Sequence, residues 1–144
     1  MTDSLPALSE TIIRDAADAI VYADADGAIR FWNAAAERIF GYATTEAIGQ
    51  SLDIIIPEKL RGRHWEGYRR VMQTGQSRYG AGDLLAVPAQ RKDGTRISVE
   101  FTIVLLLSQT QAVTGTVAVM RDVTKRFEEL RELKRRLAQA GASS

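Results

Sequence analysis

The chain contains no cysteine in its 144 residues. That absence removes disulfides, thiolate metal sites, cysteine nucleophiles and any cysteinyl photo-adduct. A reducing compartment suits such a sequence without being required by it. Histidine is almost absent as well, His64 being the only one. Excess charge of one sign is missing too: a formal net charge of +1 supplies no global drive toward nucleic acid or an acidic membrane. Apolar runs such as IVLLL (103–107) fall far short of a membrane span. The opening MTDSLPALSE has no basic segment followed by an apolar stretch, so it does not read as a signal peptide. A soluble, cytoplasmic protein is expected, with neither membrane nor nucleic acid as a partner.

What is present is ordinary globular material. Hydrophobic residues make up 45% and charged residues 26%, enough for one domain with a real core. Apolar residues at helical spacing (Leu8, Ile12, Ile13, Ala16, Ile20) predict a first helix over 8–20. Asp26-Gly27 sits between two short apolar runs, and both residues tolerate the positive φ of a tight hairpin turn. AAAERIF then reads as a short helix stopped by Gly41, and Thr44 or Thr45 as the cap of the next one. Pro57 closes LDIIIPE, and KLRGRHWEGYRRVMQTG predicts a longer helix ending at Gly75.

Three strand-like segments follow. DLLAVPAQ and ISVEFTIVLLL flank Arg91-Lys92-Asp93-Gly94, a second Asp-Gly hairpin, and TVAVMRDV comes after a polar turn. Ile97, Val99, Phe101, Ile103 and Leu105 alternate with polar residues, the period of a sheet with one buried face. From Lys125 to Ala140 the spacing turns helical again. Val123, Phe127, Leu130, Leu133 and Leu137 form an apolar seam among charges, the layout of a short coiled coil. The expected fold is α+β: about five antiparallel strands with helices packed on one face, flanked by N-terminal and C-terminal amphipathic helices. The expected boundaries are a lead-in and cap helix at 1–15, a core at 16–124, and a signalling helix and tail at 125–144.

These segments resemble a PAS domain. AIVYADADGAIRFWNAAAERIFGY is similar to the PAS opening, with Asn33 at its post-strand position, and EAIGQSLDIIIPE is similar to the next block. QRKDGTRISVEFTIVLL resembles the late hairpin, and GTVAVMRDVTKR ends in the Asp-Val-Thr that closes many PAS cores before a signalling helix. The resemblance implies a sensor or interaction module, which says nothing yet about a ligand. Asp122 and Thr124 carry short polar side chains able to cap that helix and to couple it to the sheet.

Within the family, PEKLRGRHWEGYRRVMQTG resembles the haem-binding helix of FixL-type oxygen sensors. The resemblance implies haem b, with His64 as the proximal ligand and metal-binding residue. It also implies Arg70 near the haem edge and Arg78 within reach of a propionate. Helical spacing puts His64, Gly67 and Tyr68 on one face with Leu60 and Val71, so the imidazole is expected to look inward, with Gly67 leaving room for a flat macrocycle. Phe101 and Ile103 match apolar distal positions of the resemblance. Leu84 and Leu85 lie where the family keeps a ligand-sensing arginine, so the distal wall is expected to be apolar and the arginine-based oxygen switch absent. CO, NO or redox sensing then stands beside oxygen.

Two readings of His64 remain open at this level: an iron ligand, or a structural residue on a basic amphipathic helix. Flavin adduct chemistry is excluded by the missing cysteine, so flavin is not the expected cofactor. Trp32 is expected either to line the pocket or to be a core or dimer-face aromatic. No nucleophile elbow or phosphate loop is present, and Asp24, Asp53 and Glu100 read as solvated acids, so no enzyme is expected. Lys59, Arg61, Arg63, Arg69 and Arg70 are diluted by Glu58 and Glu66 and read as a solvated helix face. The main rival to a ligand-binding sensor is a cofactor-free PAS dimer. In either case a homodimer is expected through the terminal helices, with Phe127, Leu130 and Leu137 in the seam. No output domain is recognisable in these residues, which fits a stand-alone regulator or a piece of a larger protein with an unidentified downstream partner.

Overall fold

The structure, a computed structural model, describes residues 4–76 and 84–143. Helix α1 (Leu5–Asp15) leads into the hairpin β1 (Ala19–Asp24) and β2 (Ile29–Trp32). The short helices α2 (Ala34–Phe40) and α3 (Thr44–Ala47) follow, then a single tight turn at Leu52–Ile55 and the longer helix α4 (Glu58–Thr74). Strands β3 (Leu85–Gln90), β4 (Arg96–Leu107) and β5 (Val113–Asp122) precede α5 (Thr124–Ser143). The strands form one five-stranded sheet in the order β2-β1-β5-β4-β3, and each neighbouring pair is antiparallel. That is the α+β arrangement expected, with helices at both ends.

Both Asp-Gly turns form, with Gly27 at φ +80° and Gly94 at φ +86°, the left-handed region that L side chains avoid. Pro88 lies in β3, an edge strand of the sheet, where a missing amide hydrogen is tolerated. Register places Ala19, Val21 and Ala23 of β1 opposite Met120, Ala118 and Thr116 of β5. It places Val99, Phe101 and Ile103 of β4 opposite Asp122, Met120 and Ala118. Directly paired residues share a face, so these positions form the concave surface on which the helices pack. Ala19, Val21, Ile29, Trp32, Phe40, Tyr68, Val99 and Met120 are among the buried members of one core cluster.

Asn33 organises the first half of this core. Its Oδ1 accepts from the amides of Ile20 and Ala36, both at 3.0 Å, and its Nδ2 donates to the Asp18 carbonyl at 3.0 Å. One buried side chain thus caps α2 and ties it to the start of β1. Trp32 proves to be core rather than pocket lining: it is 2% exposed, packs on Phe40, and donates its Nε1–H to the Tyr42 carbonyl.

Three local expectations need correction. The first helix stops at Asp15, and Ile20 belongs to β1, where pairing with Val119 and the Asn33 bond outweigh its helical spacing. Neither Thr44 nor Thr45 caps α3. Ala43 holds the cap position without a side-chain bond, and Thr44 instead donates its amide to Glu37 and its hydroxyl to the Trp32 carbonyl. Strand β5 starts at Val113, earlier than the sequence segment 116–123 suggested.

Candidate functional site

Helix α4 begins after Pro57, which fixes the backbone without needing an amide hydrogen, and ends at Gly75 in the left-handed conformation. Its spacing sends Tyr68 into the core, where the residue is 8% exposed and its hydroxyl donates to the carbonyls of Ala23 and Asp24. Burial pushes the Tyr68 phenol up from its ordinary pKa, so it stays a protonated donor at neutral pH. His64 lies one turn before Tyr68 and is half-buried, like Gly67 and Val71. The expected inward face of α4 is therefore the face that packs.

The His64 imidazole sits among aromatic rings. Its centroid is 4.6 Å from that of Trp65, edge-on at 80°, and 5.7 Å from that of Tyr68. Its Nδ1 is buried and has no hydrogen-bond partner. A buried polar atom without a partner is costly, and the large majority of such atoms in folded proteins are satisfied. Burial lowers the His64 pKa from its ordinary value of 6.5, and the Asp53 carboxylate opposes that shift. The ring is consequently neutral at pH 7, with a lone pair available.

Gly67 leaves space one turn from the imidazole's own: a Cβ placed there meets no atom within 4 Å. Glycine in a helix interior costs about 1 kcal/mol relative to alanine, so this position trades helix stability for open surface. On the sheet, Leu85 of β3 pairs with Phe101 of β4, and Ile103 pairs with Ala118. Phe101, Ala118, Trp65 and Met72 pack against the same cluster that contains Tyr68, which brings the α4 face and the sheet wall into one apolar interior.

Other expected site residues stand apart. Leu84 precedes β3 and is 62% exposed, so of the pair Leu84 and Leu85 the second faces the wall. Arg70 is exposed and lies 3.5 Å from Glu66 on the outer side of α4. Arg78 lies outside the described residues.

The sequence reading missed the setting of Trp65. Its Nε1–H donates to Asp53 Oδ1 at 2.6 Å, and its ring rests on Gly27 so closely that a Cβ there would overlap it. Asp53 is thus engaged rather than merely solvated, and the Arg61 Nε lies 3.9 Å from the same oxygen. Nothing in the residue pattern links positions 27, 53 and 65; only folding does.

The donor set is small. No group of three or more His, Cys, Asp or Glu side chains able to hold a metal ion occurs among the described residues. A bare ion has no cage here, whereas a macrocycle that brings its own nitrogens needs one protein ligand, and His64 offers one. Surface hollows of about 420 Å³ lie elsewhere, beside Phe40, Gly41 and Arg91–Asp93 and around Arg121–Glu129. On the inner side of α4, Tyr68 and Trp65 pack into the core cluster. No helix among the described residues is long and apolar enough to cross a membrane.

Comparison with known proteins places these features in a family context. The sequence model of the PAS fold matches residues 7–123. The sensor protein FixL of Bradyrhizobium diazoefficiens is 34% identical over 93 residues, 65% of this chain and 18% of that protein. The oxygen sensor protein DosP of Escherichia coli is 35% identical over 75 residues, 52% of this chain and 9% of that protein. The chain therefore spans less than a fifth of either relative. Among solved structures, the PAS domain of a Colwellia psychrerythraea protein superimposes with a TM-score of 0.72 at 21% identity, covering 85% of this chain and 99% of that one.

Proposed function

The chain belongs to the PAS family, and we propose that this sensory domain holds a flat ligand, haem b in the first instance, between α4 and the concave sheet face, where His64 would ligate its iron. The observation that carries the proposal is the buried, unpartnered Nδ1 of a neutral imidazole. An iron ligand, or a hydrogen bond made once the ring turns its other nitrogen to the metal, relieves that cost. The FixL-like helix sequence and the sensor relatives support the same choice.

In this reading His64 supplies the imidazole, Gly67 the clearance, and Tyr68, Leu85, Phe101 and Ile103 the apolar surroundings. Bound haem would supply an iron centre able to take a diatomic gas. With no arginine at Leu84 or Leu85, the surrounding wall discriminates by shape and polarity rather than by a charged donor. Strand β4 carries Phe101 and Ile103 and also holds the exit helix through a hydrogen bond from the Ser98 amide to Thr124, so a change at the wall has a short hydrogen-bonded route to α5. We assign no catalytic role to any residue.

The test is direct. Protein produced with haem supplied should show a Soret band that His64→Ala abolishes; a protein that stays colourless and takes up no haem overturns the assignment.

A second reading rests on a different observation. Helix α1 buries no residue, and Leu5, Leu8 and Ile12 are exposed on it, as are Phe127, Leu130, Leu133 and Leu137 on α5. Such apolar seams on terminal helices suit a homodimer, with or without a ligand in the core. A monomer by light scattering at about tens of micromolar, the order for a micromolar contact, removes that reading.

A further inference from the structure

The imidazole of His64 is enclosed by two rings that are held very differently. Tyr68 is anchored in the core by its hydroxyl bonds to β1. Trp65 is only partly buried, and beside its ring contacts with His64, Tyr68 and the core cluster it is held by one polar tether and one seat: the Asp53 carboxylate and the bare Cα of Gly27. Asp53 itself sits in the tight turn Leu52–Ile55, with 40% of its side chain exposed. The seat lies in the β1–β2 turn, where Gly27 combines positive φ with an absent Cβ. Three separate segments thus converge to dock one indole against the ring of the site's only histidine.

Consider how anything reaches His64. Moving Tyr68 breaks buried hydrogen bonds and opens the core. Moving Trp65 breaks one hydrogen bond to a partly exposed carboxylate and lifts an indole off a turn. The indole also contacts Tyr68 edge-on at 5.3 Å, so its departure widens the space beside both rings. Trp65 is the weaker wall.

We propose that Trp65, tethered to Asp53 and seated on Gly27, is the residue that determines which ligands reach the His64 imidazole, closed to planar ligands while docked and open to them when the tether releases. The proposal rests on reading the His64 face as the ligand site, but its test does not depend on haem.

Because the chain has a single histidine, diethyl pyrocarbonate reports on His64 alone through the absorbance of N-carbethoxyhistidine. At pH 7.5, with no haem added, the wild-type protein should react well below the rate of free N-acetylhistidine. Asp53→Asn, which keeps the side-chain shape but weakens the charge-assisted bond, should raise the rate by about fivefold. Trp65→Ala should raise it further, and Trp65→Phe, which fills the seat without an N–H, should fall between wild type and Trp65→Ala. The reagent attacks neutral imidazole, and with its pKa already below 6.5 the His64 ring is almost wholly neutral at pH 7.5, so the further lowering on loss of the Asp53 charge adds almost nothing to the reactive fraction and does not mimic the effect. Cooperative thermal unfolding of Asp53→Asn confirms that the variant is folded. Equal rates in wild type and folded Asp53→Asn, or a wild-type rate matching free N-acetylhistidine, overturn the proposal. A gate demonstrated in this way in a protein that takes up no haem sinks the haem assignment alone; haem uptake with unchanged reactivity sinks the gate alone.

Discussion

Thr124 accepts a hydrogen bond from the Ser98 amide through its Oγ1 at 2.9 Å, and so the first residue of α5 is fastened to β4, which lies between β5 and the edge strand β3. The same hydroxyl donates to Asp122 Oδ1 at 2.6 Å, and the Val123 amide donates to the Ser98 carbonyl at 2.9 Å. Exit helix and sheet are joined at one point by short polar groups, while the rest of α5 projects with its apolar seam exposed. In the function proposed above, this joint is where a shift in β4 would reach α5.

Replacing Thr124 by Val removes both side-chain bonds with little change of shape. The expected cost is about 1 kcal/mol, the usual worth of a cap. Amide exchange should accelerate at Ser98 and in the first turn of α5 while β1 and β5 stay protected. Uniform loss of protection across the sheet would mean that the joint is not local.

Asn33→Ala should be among the most damaging single changes outside the α4 face. It strands the Ile20 and Ala36 amides in the interior and leaves the Asp18 carbonyl short of a donor. The expected loss is about 2–3 kcal/mol by urea denaturation. A loss under about 0.5 kcal/mol, the range of ordinary surface changes, would contradict the role given to this side chain.

Gly27→Ala combines a left-handed φ with overlap of the indole of Trp65. It should destabilise the fold by about 1–3 kcal/mol and displace Trp65. Displacement is read as a red shift in tryptophan emission that persists in Trp32→Phe, where Trp65 is the sole emitter. Unchanged emission would place the indole elsewhere.

The pH dependence follows from the lowered pKa of His64. A base whose folded pKa is depressed leaves the folded state under-protonated relative to the unfolded chain. Its stability contribution is therefore intact above the unfolded value near 6.5 and declines as pH falls from there through the folded pKa. The single histidine resonance should titrate below 6.5. The stability difference between wild type and His64→Gln should shift against wild type between pH 7.5 and about 5. A midpoint above the ordinary histidine value would reverse the sign and the argument.

Leu130→Glu places a charge in the exposed seam of α5, where the native side chain is 51% exposed. In the dimer reading it should yield monomers by light scattering and leave the unfolding of the core unchanged. A variant that still elutes as a dimer would shift the contact to another surface.

Much of this molecule was legible from the residue order because local rules agree with the global fold. Period-two alternation over Ile97–Leu105 marked β4, and each Asp-Gly pair marked its turn, since positive φ is a property of the residue itself. The inward face of α4 followed from helical spacing, and the polar cap at Asp122 and Thr124 from side-chain length. The length of the first helix was misjudged because Ile20 fits a helical stripe as well as it fits a strand. What distinguishes the two is a partner in β5, far along the chain.

The sequence by itself determined the class of fold, the family resemblance, and the place of the one histidine on the inward side of α4. Spacing along one chain carries that information. Tertiary structure alone decided that Trp32 is core, that Leu84 turns outward, and that Trp65 closes on His64 with Asp53 and Gly27 as tether and seat. Those outcomes depend on which distant side chains meet and on whether a Cβ would fit between them, and neither is set by period or propensity.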